Sequence, residues 1–255
     1  MSKVWAFGCS HVRGTELGVG KYMNTDQWLM DNFGTTNIIE FTKSQTEILQ
    51  NKWHDILLKL WDETDLLDYE MTQSYSGQVA EILGYELHNK GIRGSGADRA
   101  FHEFLKVKDD IDWNADIVFV GFTYPYRYMF EEDQNDRNRN LNWMATSNQK
   151  GYKEFYEGML QWGPTDFSWA SWSAGLYHMI KLHYPNVHMI DATGMLNPKM
   201  KPFMDKIKSN EKTLQDFSKY DIVDDNKVYD LYPQYHFKEY AHKNFAEYLI
   251  TELNL

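Results

Sequence analysis

One cysteine in 255 residues, Cys9, has no partner for an internal disulfide and suits a reducing compartment. No apolar run approaches the ~18 residues that a membrane-spanning helix needs. The opening Met1-Ser2-Lys3-Val4-Trp5 has no basic region followed by a long apolar stretch, so no secretory leader is expected. Positive charge is scarce too: 26 Lys and Arg stand against 37 Asp and Glu, for a formal net charge of −11. Without a basic stripe nothing holds a phosphate backbone, which argues against a nucleic-acid partner. The most charged stretch, residues 131–139, mixes both signs. Metal-ligand clusters are missing as well. His178, His183 and His188 follow at five-residue steps that do not share a helical face, and no cysteine cluster accompanies them. Neither a metal nor a cofactor is expected, and the chain reads as a soluble, acidic, cytoplasmic protein with no membrane partner.

What is abundant is aromatic surface, 16% of residues with nine Trp among them. The length suits one large α/β domain, residues 1–255, with insertions. Apolar runs without alternation at Val4–Phe7 and Asp116–Phe122 predict buried strands. Tyr85–His88 and Val187–Asp191 predict shorter ones, and Asn37–Phe41 is a fifth candidate. Helical spacing runs from Ser44 to Tyr69 through Leu49, Trp53, Leu57, Leu60 and Leu66. It reads either as core-facing amphipathic helix or as an inserted cap beside the first turn; the cap is preferred because it delays the next strand. Further helices are predicted over Ser74–Gly84 with Ser76 as a cap, over Ala97–Leu105, over Ala174–His183, and over Lys238–Leu253. Alternating helices and strands imply a mostly parallel sheet. Lys199–Lys227 reads as a polar surface excursion. Residues 128–172 set aromatics among polar residues, which suits a lid whose Trp143, Trp162 and Trp169 border a substrate cleft. An aromatic packed insertion without ligand is the plainer alternative.

The first turn organises the rest. After the strand Val4–Phe7, Gly8 permits a sharp corner, and Cys9-Ser10 follow. Such a corner lifts the serine off the carboxyl end of its strand, where open α/β sheets bind ligands. Its mechanics are those of a nucleophile elbow, although any small polar residue can end a strand. A second feature is the glycine-rich run Asn89 to Arg99, which brings backbone N–H groups within reach of a ligand and leads into a helix. Its spacing matches neither standard phosphate fingerprint.

Taken in order, Gly8-Cys9-Ser10, Asn89 to Arg99 with Gly94, Gly121-Phe122-Thr123-Tyr124, and His236 with Ala241-His242 resemble the SGNH, or GDSL-like, hydrolase family. The resemblance implies a Ser-His(-Asp) mechanism in which Ser10 is the nucleophile and His236 the general base. It implies an oxyanion hole made of Ser10, Gly94 and Thr123. Three positions depart from the family pattern: Cys9 stands where Asp usually precedes the serine, Thr123 where Asn is usual, and Pro233 where Asp is usual three residues before the histidine. Asp230 is the carboxylate best placed to fold back onto His236 through a Tyr232-Pro233 turn. A backbone carbonyl oxygen is the rival, and Asp224 or Asp225 would need a longer loop. Cys9 and His242 are expected to pack, while Arg127 binds a substrate anion or makes an ordinary ion pair.

The expectation is therefore a three-layer α/β/α domain with a mostly parallel, five-stranded, flavodoxin-like sheet. Insertions at 15–73 and 128–172 should cover its carboxyl edge. The expected activity is a serine esterase acting on a small-molecule or glycan ester, for instance an O-acetyl group. An acyltransferase with the same site, or a non-catalytic carbohydrate-binding domain, is the alternative.

Overall fold

The computed structural model describes residues 1–36, 38, 41–123, 127–129, 138–140, 166–194, 204, 207, 209–223, 226–233 and 236–255. The chain runs through β1 (Lys3–Phe7), α1 (Ser10–Arg13), α2 (Thr25–Phe33), α3 (Lys43–Glu63), α4 (Leu66–Gln73), α5 (Tyr75–Leu83), β2 (Glu86–Asn89), α6 (Ala97–Val107) and β3 (Ile117–Gly121). A hairpin of β4 (Arg127–Met129) and β5 (Asn138–Asn140) precedes α7 (Asp166–His183) and β6 (His188–Ile190). A second hairpin, β7 (Tyr220–Val223) and β8 (Asn226–Tyr229), begins inside the segment read as a surface excursion and runs past its end, and α8 (Glu239–Leu253) follows.

The central sheet has the order β2-β1-β3-β6, every pair parallel. Alternate residues of its strands point to opposite faces, and helices cover both. Val4, Ala6 and Phe119 pack with Tyr75 and Val79 of α5 and with Phe245 and Leu249 of α8. Trp5, Phe7, Val118 and Val120 pack on the other side with Phe104 of α6 and with Tyr177 and Ile180 of α7. This double coverage explains why β1 is apolar on both faces. Each fully buried Phe or Leu in these layers contributes about 1.5–3 kcal/mol relative to exposure. The three-layer, parallel α/β/α expectation holds, with four strands rather than five among the described residues. The candidate fifth strand, Asn37–Phe41, lies partly outside them. Its Ile38 is buried with Leu29 and Leu49, so the helical segment claims that apolar residue in place of a sheet.

Between β1 and β2 the chain builds that helical segment from α2, α3 and α4. Thr42 and Gln45 form a capping box at the start of α3, each side chain satisfying the other residue's backbone N–H. Trp53 and Leu57 of α3 and Leu66 of α4 then pack on Leu17, Val19 and Tyr232. The inserted helices thus rest on the loop after α1 and on the loop before α8. At α5 the N-cap is Ser74, whose Oγ accepts the Gly77 N–H at 3.1 Å; Ser76, the expected cap, lies within the helix. Gly84 ends α5 at φ 68°, as a left-handed C-cap requires. No helix among the described residues is long and apolar enough to cross a membrane.

One consequence of the strand order positions the site. From β1 the chain moves to β2 on one side, then returns across β1 to β3 on the other. That reversal opens a crevice at the carboxyl ends of β1 and β3. Gly8 to Ser10 and Phe122-Thr123 both leave the sheet there.

Candidate active site

The corner after β1 is built for close approach. Gly8 has φ 151°, and a Cβ on it would lie 2.5 Å from Val12 Cγ2 and 3.3 Å from the Gly121 carbonyl oxygen. A Cβ on Gly121 would meet the same Val12 methyl at 2.4 Å. The two glycines let α1 settle directly against the ends of β1 and β3, and Ser10 opens α1. The Gly8 carbonyl accepts the Ile92 N–H at 2.9 Å and the Ser95 hydroxyl at 2.7 Å. Asn89 donates through Nδ2 to the Val12 carbonyl at 2.8 Å and accepts the Gly91 N–H at 2.9 Å. The segment carrying Gly94, at φ 76°, is therefore stitched to the serine corner by three hydrogen bonds, and the Asn89–Gly91 bond braces it internally.

Ser10 is 5% exposed, and its hydroxyl lies 2.9 Å from His236 Nε2. The other ring nitrogen, Nδ1, bonds Oε2 of Glu16. Oε1 of Glu16 accepts the indole N–H of Trp53, which can only donate. Glu16 thus faces a donor on each oxygen, an arrangement that puts the imidazole proton on Nδ1 and the lone pair of Nε2 toward Ser10. The result is a continuous relay, Ser10–His236–Glu16–Trp53, whose first three members are buried to 8% exposure or less.

The backbone explains how the two distant segments meet. Gly14 adopts φ 86° after α1 and Glu16 φ 73°, left-handed values that fold the loop back beneath α1. For glutamate that conformation costs on the order of 1–3 kcal/mol and persists only where surroundings hold it. Glu16's own N–H donates to Glu70 Oε1 at 2.7 Å. On the other side, the Tyr232 N–H donates to the His236 carbonyl at 2.8 Å, closing a short loop that turns the imidazole inward. Glu239, in the first turn of α8, accepts both the Gly18 N–H and the Tyr232 hydroxyl, tying the Glu16 loop to the His236 loop.

Asp230 is not part of this arrangement. Its carboxylate is 52% exposed and lies 3.9 Å from Lys238 Nζ, while its N–H donates to the Lys219 carbonyl. The inward turn at Tyr232 separates it from His236, and Glu16 occupies the imidazole nitrogen expected for it. Asp224 and Asp225 lie outside the described residues. Thr123 sits at the carboxyl end of β3, buried, with its N–H donated to the Tyr177 hydroxyl at 2.9 Å. The two hydroxyls are 3.3 Å apart. The Tyr177 oxygen can accept that N–H and still either donate to or accept from Thr123 Oγ1, so both the backbone and the hydroxyl of Thr123 are held against Tyr177. Burial pushes the Tyr177 phenol well above its ordinary range, which keeps it protonated.

Two histidines flank the relay. The His11 ring stands edge-on to His236 at 5.0 Å between centroids. His242 is buried, and its Nδ1 accepts the Tyr75 N–H at 3.1 Å. Burial, reinforced by His11 and His236, holds it neutral. Cys9 is buried, as expected of a packing residue. Of the expected substrate-binding residues, Trp143 and Trp162 lie outside the described residues. Arg127 and Trp169 are described only as backbone, in β4 and α7.

No family model and no curated protein matches the sequence. Among solved structures, the chain is similar to an acetyl xylan esterase from the rumen bacterium Butyrivibrio proteoclasticus, with a TM-score of 0.40 at 13% identity over 99% of this chain and 64% of that one. It is similar to a protein of the G-D-S-L family, described as lipolytic, from Desulfitobacterium hafniense DCB-2, at TM-score 0.38, 11% identity and 97% coverage of both chains. A third is a carbohydrate esterase family 2 enzyme plus carbohydrate binding domain from Corynascus thermopiles (Myceliophthora fergusii), at TM-score 0.43 and 12% identity, over 100% of this chain and 67% of that one. The chain thus spans 64% of the length of the first of these. Superpositions this loose assign no chemistry.

Glu16 is the site residue that sequence reasoning missed. The available signal is modest: it is the lone carboxylate in Gly14-Thr15-Glu16-Leu17-Gly18-Val19-Gly20, six residues after the serine.

Proposed function

We propose that the protein is a serine esterase of the SGNH kind, with Ser10 as nucleophile, His236 as general base and Glu16 as the carboxylate that orients it. The observation that supports this reading is the buried relay, in which both imidazole nitrogens are engaged, one by the serine hydroxyl and one by a carboxylate. A serine hydroxyl is a weak nucleophile until a base within hydrogen-bond reach takes its proton.

Ser10 Oγ attacks the ester carbonyl carbon while its proton passes to His236 Nε2, and the imidazolium is stabilised by Glu16. The oxyanion that forms needs fixed donors, each worth about 10²–10³ in rate. The Ser10 and Gly94 N–H groups and the Thr123 hydroxyl are assigned this part. The intermediate collapses as the alcohol leaves with the proton held by His236. Water then attacks the acyl-Ser10 ester with the same base, releasing the acid and restoring the serine. The near-complete burial of Ser10 favours a small acyl group, acetyl above all. Hydrolysis of p-nitrophenyl acetate, butyrate and octanoate, beside acetylated glycans, tests the reading. Acetate is preferred and Ser10→Ala loses several orders of magnitude in kcat with the fold retained. Full activity in Ser10→Ala, or none in the native protein on any ester, overturns it.

A further inference from the structure

We infer that Glu70 is a positioning residue for the esterase site, holding Glu16 against His236 through the Glu16 backbone. The inference rests on the Ser10–His236–Glu16 reading and adds a residue that such a mechanism does not call for. Glu70 lies on α4, in the inserted helical segment, 54 residues from Glu16, and is fully buried. A buried carboxyl is costly, and a core position there would ordinarily hold an apolar residue.

Apart from Trp61 of α3, its side-chain partners lie at the end of α1 and on the loop that leaves it. Oε1 accepts the Glu16 N–H at 2.7 Å, and Oε2 lies 4.0 Å from Arg13 Nε. The Glu70 carbonyl oxygen would be only 2.5 Å from a Cβ on Gly14, so that glycine lets the loop press against the end of α4. These three contacts span residues 13 to 16. The last of them sits in the left-handed conformation that aims its side chain at His236. Remove the acceptor and a buried N–H is left unsatisfied beneath a strained residue, which relaxes by moving the carboxylate that orients the imidazole. Burial also pushes the Glu70 carboxyl up to about 7, against the opposing pull of the Glu16 N–H, Trp61 and Arg13. Either protonation state keeps an oxygen for the Glu16 N–H, so geometry rather than charge is what the site requires of this residue.

That distinction is testable with two substitutions of similar size. Glu70→Gln keeps an amide oxygen at the same reach; Glu70→Asp keeps the charge and withdraws the oxygen by one methylene. The expected result on p-nitrophenyl acetate is Glu70→Gln within about threefold of the native kcat. Glu70→Asp falls about 10–100-fold in kcat, as loss of a supporting shell does, with KM unchanged. The low-field proton resonance of the His236 Nδ1–H bond is read on the same samples without turnover. It persists in Glu70→Gln and shifts or vanishes in Glu70→Asp. Equal kcat and equal resonances in the two folded variants, or Glu70→Asp the more active, overturn the inference. If the native protein hydrolyses no ester while the resonance still follows this order, the esterase reading fails and the positioning role stands.

Discussion

Glu16 and His236 are 220 residues apart in sequence and share one hydrogen bond, from Nδ1 of the ring to Oε2 of the carboxylate. The bond joins the loop after the first strand to the loop before the last helix. It supplies the imidazole with a fixed tautomer, which a base acting on Ser10 needs. Four predictions follow from it and from its surroundings.

Neutralising Glu16 should be the most damaging change that leaves Ser10 and His236 in place. Glu16→Gln is expected to lower kcat by up to about 10⁴, the scale known for neutralised carboxylates in such relays. Asp230→Asn, at an exposed ion pair with Lys238, should stay within about twofold. Initial rates on p-nitrophenyl acetate for the two variants check this; the reverse ranking would return Asp230 to the site.

Tyr177 and Thr123 bear on stability and on the oxyanion side together. Tyr177→Phe removes the acceptor of the Thr123 N–H and leaves that buried donor unsatisfied, at about 1–3 kcal/mol. For a chain of this length each kcal/mol lowers Tm by about 2–4 °C. Calorimetry measures the loss, and kcat should fall as well because the threonine hydroxyl loses its orientation.

Glu70 should make stability fall with rising pH across an identifiable window. Its carboxyl is raised from 4.5 to about 7 in the folded protein, mainly by burial, with the Glu16 charge adding to the rise. The groups facing it are Glu16, Arg13 and Trp61, and Asp68 lies near Arg13. Above pH 4.5 the unfolded chain has released a proton that the folded protein still holds, so unfolding is increasingly favoured up to about pH 7. The contribution present below pH 4.5 is therefore lost as pH rises through the folded value, about 3 kcal/mol in all. Denaturant titrations between pH 4.5 and 7.5 check it: in Glu70→Gln this component of the slope should be absent.

Much of this architecture could be read before any coordinates. β1 and β3 are unbroken apolar runs because helices cover both faces, and that pattern is local. The serine corner, the glycine-rich turn and His236 were legible as an ordered set, and the structure brings Ser10 and His236 into hydrogen-bond contact. Glu16 was not legible. Its role depends on a left-handed backbone, on Trp53 from α3 and on Glu70 from α4, all set by packing between segments far apart in sequence. Asp230 looked suitable because it is close to His236 along the chain. The Tyr232–His236 backbone bond turns the ring inward and leaves Asp230 with Lys238. Of the fifth candidate strand, Asn37–Phe41, only Ile38 and Phe41 are described, and both pack with the helical segment.

The central claim is that Ser10 is a nucleophile made reactive by His236, and covalent labelling tests it most directly. The native protein is treated with a serine-directed phosphonate, digested, and the adduct located by mass spectrometry, beside His236→Ala and Ser10→Ala. The account predicts one adduct per chain on Ser10, formed several orders of magnitude more slowly in His236→Ala and absent from Ser10→Ala. An adduct on Cys9, or labelling of Ser10 at the same rate without His236, would contradict it.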